Sequence, residues 1–346
     1  MRPHDDDPVT ILDALRWQHE YVTAAGSSTA ALILDAVARD IASSGELSGL
    51  VPAVQRFGDL PGLRIMAAVH RLALDREAPS LALWLPTLGG TPPLSAADED
   101  AFRREVVTAL LRHPGTLADS LARTPQTNET GRAALLRCVL SRLDPGRPVR
   151  LRELGASAGL NLRADHLPGQ PALEAGPLPQ VMDRIGCDLS PIDITTIEGR
   201  ALLGSYVWVD DVERFRRLAD AMRVAGRVPA TVVRMDAADF VAGIELLEGT
   251  TTVVWHSAMW VYLSTSTQQR ILDGIADIGR TAGRGTAGRG AALVHASWEW
   301  ASVREGVAEF ALVTRTWEGS GSDGEPVLLA TGMSHGHPVQ LATAAG

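Results

Sequence analysis

Leu151-Arg-Glu153-Leu-Gly155-Ala-Ser157-Ala-Gly159-Leu-Asn161-Leu162 reads as a short strand that runs through a turn of small residues into a helix. Small residues at such a turn let a backbone approach a ligand closely, and exposed amides at the following helix N-terminus favour polar or anionic groups. Glu153, two residues ahead of the first glycine, suits an amine or hydroxyl donor better than a pyrophosphate.

Three readings compete for these residues. The turn suits S-adenosylmethionine (SAM), with Glu153, Gly155, Ser157, Gly159 and Asn161 as contacts. Gly155-x-Ser157-x-Gly159 also fits the nucleophile elbow of an α/β-hydrolase, in which a serine sits on a strained strand-to-helix turn. The plainest reading is a tight turn in an α/β sheet.

Outward from the turn the texture differs on its two sides. Residues 8 to 146 read as helical throughout, with Ile11, Leu12, Leu15 and Val22, then Ala31, Leu32, Leu34, Val37 and Ile41 at helical spacing around Gly26-Ser27-Ser28. Further helices are expected over Gly62–Leu74, Ala96–Leu111 and Glu129–Leu143. After Pro148, strands alternate with helices, which favours a parallel sheet covered by helices. The expected strands are Val149–Leu154, Ile185–Asp188, Thr231–Arg234, Thr251–Trp255 and Ala291–Ala296, with helices over Val212–Ala225 and Thr267–Ile278. Two final strands, Phe310–Thr316 and Val327–Thr331, flank Gly319-Ser-Gly-Ser-Asp-Gly324, a flexible stretch suited to a hairpin. The expectation is an N-terminal all-helical domain over residues 1–148, acting as lid or cap, and an α/β domain over 149–346.

Composition narrows the partners. The 346 residues are 45% hydrophobic and 21% charged, as in an ordinary soluble protein, and the net charge of −9 argues against an extended phosphate-binding face. A small-molecule partner is expected, and no nucleic acid. Two cysteines, Cys138 and Cys187, are too few for a disulfide framework or a thiolate metal site. Met1–Asp7 lacks the apolar core of a signal peptide, and no run of about 18 apolar residues marks a membrane span. A cytoplasmic protein is expected. Thr281-Ala-Gly-Arg-Gly285 repeats as Thr286-Ala-Gly-Arg-Gly290, a glycine-dense loop to which no function is assigned.

Taken together, the segments resemble the class I SAM-dependent methyltransferases over about residues 149 to 335. The resemblance implies a Rossmann-like sheet with SAM as cofactor. It places the glycine loop at Gly155, Ser157 and Gly159, an acid after the second strand at Asp188, another after the third at Asp236, and an acceptor-side segment at Trp255-His256-Ser257-Ala258. Two departures stand out: one of the family's glycines is Ser157, and the gap before Asp188 is long and holds Pro168, Pro171, Pro177 and Pro179. Asp193 is the alternative ribose acid. A narrower resemblance spans nearly the whole chain: Arg123-Thr-Pro-Gln126-Thr-Asn128-Glu129, the glycine motif, and Asp188-x-x-Pro191-x-Asp193 are similar to an actinobacterial family of unknown function. It implies topology and no reaction.

Each candidate side chain has a functional and a plain role. Asp188 suits the ribose hydroxyls or a turn before Pro191, and Asp236 the adenine amine or a helix N-cap. His256, at the end of an apolar strand, suits a general base or a hydrogen-bonded, half-buried histidine beside Trp255 and Trp260. Glu299, between Trp298 and Trp300, suits substrate orientation, whereas His295 reads as a satisfied core histidine. Gln126 and Asn128 suit either a cap on the helix near Glu129 or a lid over the ligand. They join Trp255 and Tyr262 as expected substrate contacts. His335 and His337 make a weak metal case, and no metal is expected. The expected reaction is methyl transfer to an oxygen or nitrogen of a small metabolite, with His256 and Glu299 as catalytic candidates. The alternatives are a serine hydrolase using Ser157 and a non-catalytic SAM-binding protein.

Overall fold

The computed structural model describes residues 8–282, 290–304, 307–318 and 324–342. The expectations for Met1–Asp7, most of the tandem repeat and most of the Gly319–Gly324 turn lie outside these residues.

Along the chain come β1 (Pro8–Thr10), α1 (Ile11–Ala24), α2 (Ser28–Ala42), β2 (Val54–Arg56), α3 (Pro61–Leu74), α4 (Ala96–Arg112), α5 (Pro114–Ala122) and α6 (Ala133–Leu140). Then follow β3 (Val149–Leu154), β4 (Val181–Asp188), α7 (Ile197–Ser205), α8 (Val212–Ala225), β5 (Thr231–Arg234) and α9 (Ala237–Ala242). The last are β6 (Thr251–Ser257), α10 (Thr265–Gly279), β7 (Ala292–Arg304), β8 (Val307–Glu318), β9 (Val327–Gly332) and β10 (Val339–Leu341). These elements pack as two compact units, Met1–Thr127 with Asp193–Leu218, and Asn128–Ile192 with Ala219–Gly346.

The first unit is built from short helices that begin where side chains can satisfy their first amides. Thr10 accepts from the Asp13 amide at 3.2 Å, and Ser95 and Asp98 form a reciprocal capping box at the start of α4. Leu15, Ile33, Leu34, Ile65, Leu72, Phe102 and Val106 share one core. The all-helical expectation is corrected by an antiparallel pair, β1 with β2. Three-residue strands are too short to show a period. A further helix, α5, absent from the expected set, opens on Pro114, because a proline at the first helical position lacks only an amide that has no helical partner there.

The second unit carries an eight-stranded sheet in the order β10-β9-β8-β7-β6-β3-β4-β5. Neighbours from β5 to β7 are parallel, and β7 to β10 are antiparallel. The expected strands all form, yet the sheet is more mixed than the expected parallel sheet with one terminal pair: β7 and β8 are long antiparallel partners and β10 adds an edge. Leu154, Val254, Leu293 and Trp317 on one face pack with Val241 of α9 and Ile271 and Ile275 of α10. The expected helix after Gly159 is replaced by a 3-10 segment, Asn161–His166, in which Arg163 has non-helical dihedrals. Its guanidinium turns back to the Gly159 carbonyl at 2.6 Å, which competes with helical propagation. Similarly, the expected helix Glu129–Leu143 is a 3-10 turn over Thr130–Arg132 followed by the shorter α6.

Candidate functional site

Strand order reverses at β3, which pairs with β4 on one side and β6 on the other. Ligands of open α/β sheets bind outside the carboxyl ends of the strands at such a switch point. The glycine turn lies there. Gly155, Ser157 and Gly159 all have left-handed φ, 64°, 54° and 69°. For Ser157 that conformation costs about 1–2 kcal/mol, so the turn must be held from outside. The Ala156 amide donates to the Cys187 carbonyl at 2.9 Å and the Ser157 amide to Asp188 Oδ2 at 2.9 Å. The Leu160 amide donates to Asn128 Oδ1 at 3.1 Å. A Cβ on Gly159 would stand 2.8 Å from Val232 Cγ2, so that glycine is demanded by packing.

Side chains alternate across the sheet, and two buried polar clusters result, one on each face. Glu153 is level with Trp255 on the face opposite α9 and α10. Glu153 is 2% exposed, and burial pushes its carboxyl up to about 8, against a hydrogen bond from Asn161 that lowers it. Glu153 Oε2, Asn161 Oδ1 and the fully buried Trp255 Nε1 have no hydrogen-bond partner among the described residues, and neither does Ser157 Oγ. Buried polar atoms are almost always paired, because each orphan costs about 1–3 kcal/mol. Four such atoms, two acceptor oxygens, an indole N–H and a hydroxyl, lie in the glycine motif or level with it on the sheet.

The other cluster is complete. Leu154 is level with His256, which lies on the α9 and α10 face with His295. His256 Nδ1 is 2.9 Å from Glu299 Oε1, and His256 Nε2 is 3.0 Å from His295 Nε2. The same carboxylate accepts from the Met259 amide at 3.0 Å and the Trp260 amide at 3.4 Å. The Trp260 ring stacks on His256 with centroids 4.0 Å apart. His256 is 1% exposed, and burial, helped by His256 and Arg315, holds His295 well below the usual histidine range.

The acids at the strand ends have structural work of their own. Asp188 accepts from the Ser157 and Ser190 amides, and Asp236 caps α9 by accepting from Ala238 and Asp239. Asp193 accepts from the Thr195 amide and hydroxyl and groups with the first unit. Gln126 also falls in the first unit, whereas Asn128 holds the glycine turn as described. Tyr262 is 38% exposed in the turn after β6, and Trp300 is 54% exposed on β7. Trp298 donates to the Ser334 carbonyl. His335 lies 3.7 Å from Glu129, and His337 meets Gln170.

Several members of this region were not among the sequence candidates. Leu189 and Met235, exposed beside Asp188 and Asp236, offer apolar surface at the ends of β4 and β5. Arg132 donates to the carbonyls of Ser257 and Ser334, tying the end of β6 to the β9–β10 connection. Met259 lies against Gly155: a Cβ built there would be 3.2 Å from its sulfur. Only the exposure of Leu189 and Met235 next to acids was open to recognition, from an apolar residue at a strand end. Among the described residues no group of three His, Cys, Asp or Glu side chains is arranged to hold a metal, and no helix is long and apolar enough to cross a membrane.

Residues 12–340 match the model of a bacterial family described as "Uncharacterized protein conserved in bacteria (DUF2332)". The chain belongs to this family. No curated protein and no solved structure matches. The chemistry of this DUF2332 protein is therefore read from its own residues.

Proposed function

We propose that this DUF2332 protein binds SAM at the carboxyl ends of β3, β4 and β5 and transfers its methyl group to an oxygen or nitrogen of a small molecule. The observation that carries this reading is the set of orphaned polar atoms at the glycine turn. Glu153 Oε2 and Asn161 Oδ1 are acceptors for an ammonium group, while Trp255 Nε1 and Ser157 Oγ are donors for a carboxylate, so the set fits the amino-acid end of the cofactor. A carboxylate accepts several hydrogen bonds at once, so Asp188 can serve ribose hydroxyls while holding its two amides, and Leu189 and Met235 offer apolar faces to a purine. The strand order 3-2-1-4-5 of the parallel half, counted from β3 as first, agrees with a Rossmann-like arrangement.

When bound, the sulfonium supplies an electrophilic methyl carbon. The protein's part is alignment. Methyl transfer needs proximity and in-line approach more than a nucleophilic side chain. A cationic ligand beside Glu153 favours its ionised form, so the carboxyl that burial keeps protonated would release a proton on binding. His256 and Glu299 are bonded to each other and buried, and we assign them to support of the neighbouring loop, with the acceptor's proton passing to solvent or to the acceptor's own surroundings.

The hydrolase reading has less support. Among the described residues Ser157 Oγ has no hydrogen-bond partner, and both nitrogens of His256 are engaged elsewhere, so His256 is not placed as its base. A non-catalytic SAM-binding protein would share every contact named here and differ only in lacking turnover.

Calorimetric titration with SAM and S-adenosylhomocysteine, with NAD as control, tests the proposal. Saturable binding of the two sulfur ligands alone is expected, weakened at least about tenfold, or about 1.4 kcal/mol, by Gly155→Val. Folded protein that binds neither ligand overturns it and directs attention to an esterase panel with Ser157→Ala as control.

A further inference from the structure

The turn from Ser257 to Leu263, between β6 and α10, touches both the glycine turn and the closed cluster. Met259 rests against Gly155, with its sulfur 3.2 Å and its Cβ 3.3 Å from where a Cβ on that glycine would stand. Glu299 accepts the Met259 and Trp260 amides and is itself engaged by His256. Trp260 closes the arrangement by stacking on His256. Ala258 sits at φ 51° and donates its amide to the Trp298 carbonyl at 2.9 Å. A left-handed alanine persists only where its surroundings hold it.

His256 can serve Glu299 in one orientation only. The carboxylate accepts from two amides and so calls for a proton on His256 Nδ1, which leaves Nε2 to share a single proton with His295 Nε2. His295 thereby fixes the ring that fixes the carboxylate that fixes the loop. Both nitrogens of His256 are spent on this chain of contacts.

We infer that Glu299, His256 and His295 are positioning residues that clamp the Ser257–Leu263 loop and thereby set whether Met259 covers or frees the glycine turn. The clamping stands on contacts within the sheet unit. Its consequence for ligand entry rests on the reading of the turn as the cofactor seat.

Hydrogen exchange on the full chain without ligand tests the clamp. In Glu299→Ala and in His295→Phe, the amides of Met259 and Trp260 should exchange about tenfold faster or more, the factor for one lost hydrogen bond of about 1.4 kcal/mol. Exchange in α3 and β4 should be unchanged. His295→Gln, whose amide can still meet His256 Nε2, should restore most of the protection. Unchanged exchange at Met259 and Trp260 in both folded variants overturns the inference, and so does a loss of protection in His295→Gln equal to that in His295→Phe. Should both variants fail to fold, Met259→Ala keeps the test alive: it leaves the clamp intact, and exchange at Ala156 and Ser157 should rise, whereas unchanged exchange there overturns the covering role.

Stopped-flow association of S-adenosylhomocysteine separates the two readings. Faster association in Met259→Ala than in the native chain supports covering, and equal or slower association overturns it. If the ligand binds to none of these proteins while exchange responds as expected, the cofactor reading fails and the clamp stands.

Discussion

One sheet carries two buried polar clusters on its two faces, and they differ in completeness. On the α9 and α10 face, the Glu299 carboxylate, the His256 and His295 imidazoles and two loop amides satisfy one another. On the other face, Glu153, Asn161 and Trp255 are equally buried, but each keeps an atom with no hydrogen-bond partner among the described residues. Burial alone therefore does not distinguish architecture from recognition. A closed network stabilises and orients the protein, whereas an open one costs stability that a ligand can restore.

The largest test of this contrast is Glu299→Ala. Removing the acceptor strands His256 Nδ1 and the Met259 amide, and each donor left without a partner costs about 1–3 kcal/mol. Urea unfolding should show that loss, and a change below about 1 kcal/mol would mean the closed network contributes little. Glu153→Gln gives the second test, and its outcome depends on pH. The folded-state value of about 8 lies above the ordinary 4.5, so between those values the folded state binds more protons than the unfolded state. Stability of the free protein should then fall as pH rises through that window, by up to about 1.4 kcal/mol per pH unit. The glutamine variant should lose this slope. His70 in the first unit, held down to about 4 by burial, gives the opposite slope between about 4 and 6.5, but it is common to both proteins and cancels in the difference. Parallel stability–pH curves for the two proteins would count against an open cluster. The smallest effect belongs to Trp255→Phe, which keeps an aromatic ring and removes an unpaired N–H. Stability should fall by about 1–2 kcal/mol, the cavity left by the smaller ring being partly offset by loss of the orphaned N–H, while S-adenosylhomocysteine affinity falls. A loss several times larger would show that the indole N–H has a partner within the fold.

Much of the sheet was legible because its strands are short apolar runs between turn residues. Thr231–Arg234 and Val149–Leu154 begin and end where pattern places them. The open cluster was half legible: Glu153, Ser157 and Asn161 share one motif, and Trp255 joins them only through the register of β3 against β6. His256, Glu299 and His295 were visible as separate candidates, but their union depends on β6 pairing with β7 so that Val254 stands level with His295. Register is a long-range property, and period-two alternation fixes a face without fixing a neighbour. The 3-10 segment after Gly159 escaped for a related reason. Arg163 reads as a good helix former, and only its bonds to Gly159 and to the distant Val228 carbonyl redirect it. Asp236 shows the reverse case: a helix N-cap was one of its two sequence readings, and the local pattern Asp-Ala-Ala-Asp suffices for the cap that forms.

The sheet also manages its own borders. β5 pairs only with Ile185–Asp188, so Val181–Arg184 of β4 runs beside no described strand on that side. That stretch carries Asp183, which takes both Arg150 and Arg152, and Arg184, which takes Asp165. The described outermost strands, β5 and β10, are four and three residues long. Charged side chains on uncovered strand backbone and short terminal strands deny a second chain a template to pair with. Growth of this sheet from molecule to molecule is thereby discouraged at both ends, and the polypeptide can keep a wide, largely apolar sheet without inviting fibrous association.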